Sequence, residues 1–116
     1  MKEEDKKLLL QELSARLPYG VKVEYENKIF DIDYISSYQE IKLDEFTINY
    51  TIDISDVKPY LFPLESMTEE QQLFCCTDLN YMPYYQRVDW LNKNHFDYRG
   101  LIPMGLATDA TNLNIY

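Results

Sequence analysis

The amino-acid sequence has few of the residues on which several functional classes depend. Its 116 residues include one histidine, one tryptophan, three glycines and two cysteines. No stretch approaches the roughly 18 consecutive apolar residues that a membrane span needs, and residues 1–5, which read MKEED, lack the apolar segment of a secretory signal. We therefore expect a cytoplasmic protein that does not cross a membrane.

The two cysteines, Cys75 and Cys76, are adjacent in the chain. Neighbouring cysteines do not easily reach the geometry of a structural disulfide, and a zinc site would need a second Cys or His pair, which the sequence does not contain. We expect two reduced thiols, one of them facing the core, with no bound metal and no cofactor.

Positive charge is also scarce, and the scarcity is local. The chain carries 11 Lys and Arg against 20 Asp and Glu, a formal net charge of -9. Residues 24–70 hold twelve of the acids and three lysines, whereas the segments on either side are nearly neutral. Binding to the phosphates of a nucleic acid needs clustered Lys and Arg. The composition therefore disfavours direct nucleic-acid binding.

Apolar and aromatic side chains, in contrast, are abundant. Apolar residues make up 46% of the chain and aromatic residues 15%, including 11 tyrosines. This content suffices for a core, and the length is close to that of an average domain, so we expect a single domain over residues 1–116. A tyrosine ring is buried readily while its hydroxyl seeks a partner, which suits the rim of a core and contact surfaces.

Hydrophobic periodicity predicts a helix followed by antiparallel strands. Leucines recur every three or four residues over 3–17, which is the period of one helix face, and Pro18 ends the helix. From Val21 the period changes to two, with apolar and polar residues alternating. The predicted strands cover 21–25, 30–34, 41–43 and 46–54, with Tyr34, Phe46 and Tyr50 on the apolar face.

The C-terminal half predicts helices and little further strand. Residues 60–64 contain too much proline for a central strand, so we expect an extended crossing segment there. Ser66 and Thr68 each begin a capping-box pattern, which predicts a helix from that point to about Leu79. Leu73, Phe74 and Cys76 are expected on its inner face.

A further helix is predicted after Pro83, with Asp97 capping a last turn and an edge strand over 106–108. The inner face of this helix after Pro83 is predicted to carry Tyr84, Val88, Leu91 and His95. The expected fold class is α+β: an N-terminal helix, a small antiparallel β-meander curled toward an incomplete barrel, and a C-terminal helical layer over the apolar face of the sheet.

Several segments resemble an uncharacterised family of short proteins from gut Bacteroidales and their phages and mobile elements. The resemblance is strongest over 89–102, which reads DWLNKNHFDYRGLI, and extends to 18–23, 56–61 and 66–70 but not to 24–50. It implies a phage or mobile-element setting. It implies no activity, fold or catalytic residue.

Aromatic and basic residues are interleaved over 81–99. Trp, Tyr and Arg in such a cluster are typical of protein-binding hot spots, although aromatic rings beside bases also stack on single-stranded nucleic acid, and some of these rings are expected in the core. Three basic residues provide little positive charge for binding a nucleic acid on an acidic chain, so we favour a protein partner. The predicted partner-binding residues are Tyr81, Tyr85, Arg87, Tyr98 and Arg99.

His95 is expected to be structural, because it continues the apolar stripe of its helix and no nucleophile motif accompanies it. The aspartate pairs of the predicted strands supply too few ligands for a cation. The sequence thus favours a non-catalytic module of a phage or mobile element that binds an unidentified protein. The alternative is an acidic inhibitor that mimics the charge of a nucleic acid through Asp31, Asp33 and Asp53.

Overall fold

The chain begins with a helix that packs on a β-sheet. A computed structural model describes residues 1–76, apart from the side chain of Cys76, and residues 83–116. Helix α1 spans Glu3–Arg16, and a 3₁₀ turn over Leu17–Tyr19 with a proline in its first turn ends it. Leu9 and Leu13 are fully buried, as the leucine spacing predicts.

Six strands in the described residues form one open sheet. Their order across the sheet is β4-β3-β2-β1-β5-β6, with every neighbouring pair antiparallel except β5 and β6. The predicted α+β class is confirmed, but the sheet is not closed into a barrel, since β4 and β6 form its two edges. The strands are β1 (Lys22–Tyr25), β2 (Lys28–Ile35), β3 (Glu40–Leu43), β4 (Ile52–Asp53), β5 (Lys58–Leu61) and β6 (Thr108–Asp109).

A β-bulge in β2 changes the face of the sheet on which the later residues of the strand lie. The register pairs Ile32 with Leu43 and Tyr34 with Lys42, so Asp33 is the extra residue. After the bulge Ile35 packs against the core and Tyr34 is 48% exposed. The prediction that Tyr34 lies on the apolar face is therefore wrong, because a bulge shifts every later residue of the strand to the opposite face.

The predicted fourth strand is mostly a loop. Only Ile52 and Asp53 pair with β3, and Phe46, placed on the apolar face by its alternation, is 96% exposed. The carboxylate of Glu45 accepts from the N–H of Thr47, and its carbonyl accepts from the N–H of Ile48 at 3.1 Å. Because these donors bond locally, the chain turns before it can form a ladder.

The first two residues of the segment predicted as a crossing segment, Tyr60 and Leu61, belong to a strand inside the sheet. β5 pairs with β1 at Lys58 and Pro59 and with β6 at Tyr60 and Leu61. Each ladder covers two residues, so the missing N–H of Pro59 disrupts little pairing.

Two helices follow the sheet. Helix α2 spans Glu69–Cys76, and its predicted capping box is present: the N–H of Gln71 donates to Oγ1 of Thr68 at 3.1 Å, and the N–H of Thr68 donates to Oε1 of Gln71 at 2.9 Å. Helix α3 spans Tyr84–Lys93, with Pro83 immediately before it. None of the helices in the described ranges is long and apolar enough to cross a bilayer.

The predicted inner faces of α2 and α3 are only partly correct. Leu91 is buried on α3, but Tyr84 is 78% exposed and Leu73 and Phe74 are each 48% exposed. His95 is buried but lies two residues beyond the end of α3 with a φ of 62°, so its predicted place on that helix is wrong. Among the described side chains of α2, Cys75 is the buried one. The predictions for Leu79 and for the side chain of Cys76 fall outside what the structure describes.

The core has two parts. Leucines of α1 pack with the apolar face of the sheet and with Leu101 and Leu106 in the first cluster. The second contains Met67, Cys75, Leu91 and Phe96, with Phe62, Trp90 and Tyr98 packed on it. No described residue of α2 or α3 belongs to the first cluster, so α1 covers the apolar face of the sheet, where the sequence predicts the C-terminal helices.

Candidate protein-binding site

A buried charge network joins α1 to the segment that follows α3. Glu12 and Arg16 lie four residues apart on α1 and are both fully buried. Arg16 donates to the Glu12 carboxylate through Nε and to the carbonyl of Phe96 through Nη2. The second carboxylate oxygen of Glu12 accepts from Nη1 of Arg99 at 2.7 Å. The network therefore holds residues 96–99 against the first helix.

Tyr98 is held within this network. Its ring centre lies 5.4 Å from the guanidinium carbon of Arg16 and 4.8 Å from that of Arg99, and its hydroxyl donates to Oδ1 of Asn92 at 3.0 Å. Burial raises the pKa of the Tyr98 hydroxyl above its ordinary value. Tyr98 and Arg99, both predicted as contact residues, are thus half-buried residues with a structural role.

These two residues form one wall of a surface hollow of about 580 Å³, which we call the tyrosine hollow. The hollow lies where α3 runs beside α1. Tyr84 and Tyr85, 78% and 70% exposed, stand at its edge. Its lining residues are Gln11, Tyr84, Tyr85, Val88, Tyr98 and Arg99.

The structure brings together three of the five predicted contact residues. Tyr85, Tyr98 and Arg99 line the tyrosine hollow, whereas Arg87 does not. The Nε atom of Arg87 is buried and has no hydrogen-bond partner within the described part of the chain. Tyr81 lies outside the described residues.

Sequence reasoning missed Gln11, Tyr84 and Val88 as parts of this surface. Tyr84 and Val88 are one helical turn apart, and the sequence predicts them on the inner face of the helix. The same spacing also arises where a helix lines a surface hollow. Gln11 carries no local signal, because only the packing of α1 beside α3 brings it to the hollow.

The three aspartates of the predicted acidic surface lie on two strands of the sheet. Asp31 and Asp33 lie on β2 and Asp53 lies on β4, with β3 between the two strands. Asp31 accepts from Nζ of Lys22 at 2.9 Å, and Asp53 lies 3.7 Å from Nζ of Lys6. Two of the three aspartates thus have a lysine beside them.

Asp53 also has a structural role. Its Oδ1 accepts from the N–H of Ser55 at 2.8 Å and from the Ser55 hydroxyl at 2.6 Å, capping the 3₁₀ turn Ile54–Asp56. These hydrogen bonds lower the pKa of the Asp53 carboxyl. Among the described residues, no group of three or more His, Cys, Asp or Glu side chains is placed to hold a metal ion.

His95 lies at a different place from the tyrosine hollow. Its ring stacks on that of Tyr116, with the centroids 3.7 Å apart and the planes at 12°. Its Nδ1 is buried without a partner among the described residues. Burial, followed by the positive charges of Arg16 and Lys22, lowers the pKa of His95 to about 4. The imidazole is therefore neutral at pH 7.

Comparison with known proteins finds no relative from which a function could be transferred. No protein-family model, no curated protein and no solved structure matches this chain.

Proposed function

We propose that this protein is a non-catalytic interaction module that binds another protein through the tyrosine hollow. The observation that carries the proposal is the exposure of Tyr84 and Tyr85 beside a wall that is already fixed by the buried charge network. Exposed aromatic rings on a rigid element, next to an arginine, are typical of the anchors that dominate protein interfaces.

The geometry supports tight contact at small entropic cost. Arg99 and Tyr98 are immobilised by Glu12 and Asn92, so a partner does not have to order them on binding. Burying one tyrosine ring that is mostly exposed contributes about 2–4 kcal/mol from apolar area.

The lining of the hollow supports binding in preference to catalysis. Its described lining residues include no serine, cysteine, histidine or carboxylate, the groups that most often act as nucleophile or general base. The resemblance of residues 89–102 to proteins of phages and mobile elements supports a host or phage protein as the partner.

The proposal is tested with a matched pair of tyrosine variants. Tyr85→Ala removes an exposed ring of the hollow, and Tyr38→Ala removes a ring that is 85% exposed on the turn between β2 and β3. A partner captured by a photo-crosslinker placed at Tyr84 is identified by mass spectrometry, and its affinity is measured by calorimetry. We expect Tyr85→Ala to weaken binding about 5- to 30-fold, as for loss of about 1–2 kcal/mol at an anchor, and Tyr38→Ala to leave it unchanged.

The same titration separates the proposal from the acidic alternative. Changing Asp31, Asp33 and Asp53 together to asparagine removes three negative charges and keeps an acceptor at each position. If this triple variant loses binding, if the affinity falls steeply with salt and if Tyr85→Ala binds like the native protein, the acidic surface is the contact and the proposal is wrong.

A further inference from the structure

A second concave site lies at the junction of β5, α2 and the end of α3, and we call it the histidine cleft. Its volume is about 450 Å³, within the range of small-molecule sites. The backbone that shapes it is tied across the junction. The N–H of Phe62 donates to the carbonyl of His95 at 2.8 Å, and the N–H of Asp97 donates to the carbonyl of Phe62 at 2.8 Å.

Aromatic rings form the walls of the histidine cleft. The ring centre of Phe62 lies 6.1 Å from that of Phe96 and 5.8 Å from that of Tyr116. Tyr116 is fixed at its far end, where its hydroxyl donates to the carbonyl of Tyr60 at 2.7 Å and accepts from the N–H of Lys22 at 2.8 Å. Walls of preset rings favour a flat ligand, which can stack on them or meet their edges.

The polar groups that face the histidine cleft favour a negative charge. The carbonyl oxygen of the Gln71 side chain already accepts from Thr68, which leaves the amide hydrogens to donate. Lys93 is exposed and has no carboxylate within 4.0 Å among the described residues. Among the described residues that line the cleft, Lys93 has the one charged side chain, and none is an Asp or Glu.

His95 adds a polar atom without adding charge. The residue is 7% exposed, and its Nδ1 has no hydrogen-bond partner in the described part of the chain. Its lowered pKa, about 4, keeps the ring neutral at pH 7. A buried polar atom without a partner requires an explanation, and an incoming ligand or water is one of the usual ones.

We infer that the histidine cleft binds a small planar organic anion, namely an aromatic ring that carries a carboxylate. The ring lies against Phe62 and Tyr116, and the carboxylate faces the ammonium of Lys93 and the side-chain amide of Gln71. The site is distinct from the tyrosine hollow, and the two share no lining residue.

Benzoate is the probe that tests the inference, and amide and methyl NMR spectra of the full chain detect its binding. Benzoate has nine heavy atoms, so we expect a Kd on the order of 1 mM, with the shifted resonances clustered around Phe62, Gln71 and Lys93. Benzamide keeps the ring without the charge, and cyclohexanecarboxylate keeps the charge without the flat ring. Each should bind at least about fivefold more weakly, because each lacks one of the two recognised features.

A matched pair of lysine variants supplies the second readout. Lys93→Gln should weaken benzoate binding by about fivefold, the range of a partly exposed ion pair, while Lys58→Gln, an exposed lysine outside the cleft, should leave it unchanged. The inference is overturned if benzoate shifts no resonance of the cleft at about 20 mM, twentyfold above the expected Kd. It is also overturned if benzamide binds as well as benzoate, or if the two lysine variants behave alike.

Discussion

Replacing Glu12 by glutamine removes the carboxylate on which the buried charge network depends. The two guanidinium groups of Arg16 and Arg99 both donate to Glu12, and no other carboxylate within the described ranges forms an ion pair with either. Burial already lowers the pKa of Arg16, while Glu12 opposes that effect. Without Glu12, a fully buried guanidinium keeps its charge and loses its counter-ion.

The expected cost follows from the burial of each partner. Removing one side of a buried ion pair destabilises a protein by about 3–5 kcal/mol, a large fraction of the roughly 5–15 kcal/mol that holds a typical domain folded. Arg99, whose side chain is 20% exposed, is partly solvated, so Arg99→Gln should cost about 1 kcal/mol.

A double substitution tests whether the cost arises from the uncompensated charge. Replacing Glu12 by leucine and Arg16 by methionine removes both charges and keeps the volume apolar, a change that is often neutral or stabilising. The carbonyl of Phe96 then loses its donor, which costs about 1–3 kcal/mol. We therefore expect the double variant to be more stable than Glu12→Gln, by about 2 kcal/mol.

Urea unfolding at pH 7, followed by Trp90 fluorescence and by far-ultraviolet circular dichroism, measures these differences. Coincident transitions from the two probes establish that a single free energy of unfolding applies. A loss below about 1 kcal/mol for Glu12→Gln would refute the reasoning, since an exposed pair contributes that much. A double variant as unstable as the single one would refute it too.

Substitutions at three further positions test the described packing. The pKa of His95 is lowered from 6.5 to about 4, so between these values the unfolded chain binds a proton that the folded chain does not, and stability falls by about 2–3 kcal/mol as pH drops toward 4. Between pH 7 and pH 4, the free energy of unfolding measured in urea should fall less for His95→Gln than for the native protein. An equal fall in both proteins would contradict the lowered pKa of His95. Asp97 is buried and accepts from two backbone N–H groups at 2.8 and 2.9 Å, so Asp97→Ala should lower the free energy of unfolding by about 2–4 kcal/mol and Asp97→Asn by less. Phe46→Ser should change the free energy of unfolding by less than about 0.5 kcal/mol, because the ring is 96% exposed. A cost above about 2 kcal/mol would instead indicate that Phe46 is buried, as the predicted strand requires.

The elements that the sequence predicts well are those whose cause is local. The leucine period of α1, the alternation of β1 and β3, the capping box before α2 and the turn capped by Asp97 each depend on residues within about five positions of one another. Backbone preference and the two periods decide such features before distant parts of the chain meet.

Alternation alone misled where a neighbouring contact competes with it. Apolar and polar residues alternate over 46–54 even though the N–H of Thr47 donates to the Glu45 carboxylate and the chain turns there. The alternation over 30–34 gives no sign of the bulge at Asp33. Both features depend on which donors find partners, and hydrophobic periodicity does not record that.

The tyrosine hollow shows the same division. Local pattern singled out Tyr85, Tyr98 and Arg99 as candidates, because interleaved aromatic and basic residues are visible in the sequence. The packing of α1 beside α3 brings Arg99 to Glu12, which is 87 positions away in the sequence. The same packing buries Glu12 and Arg16, although charged residues are usually solvated. A buried charge is tolerated only where a distant partner neutralises it, and the position of that partner is a property of the tertiary structure.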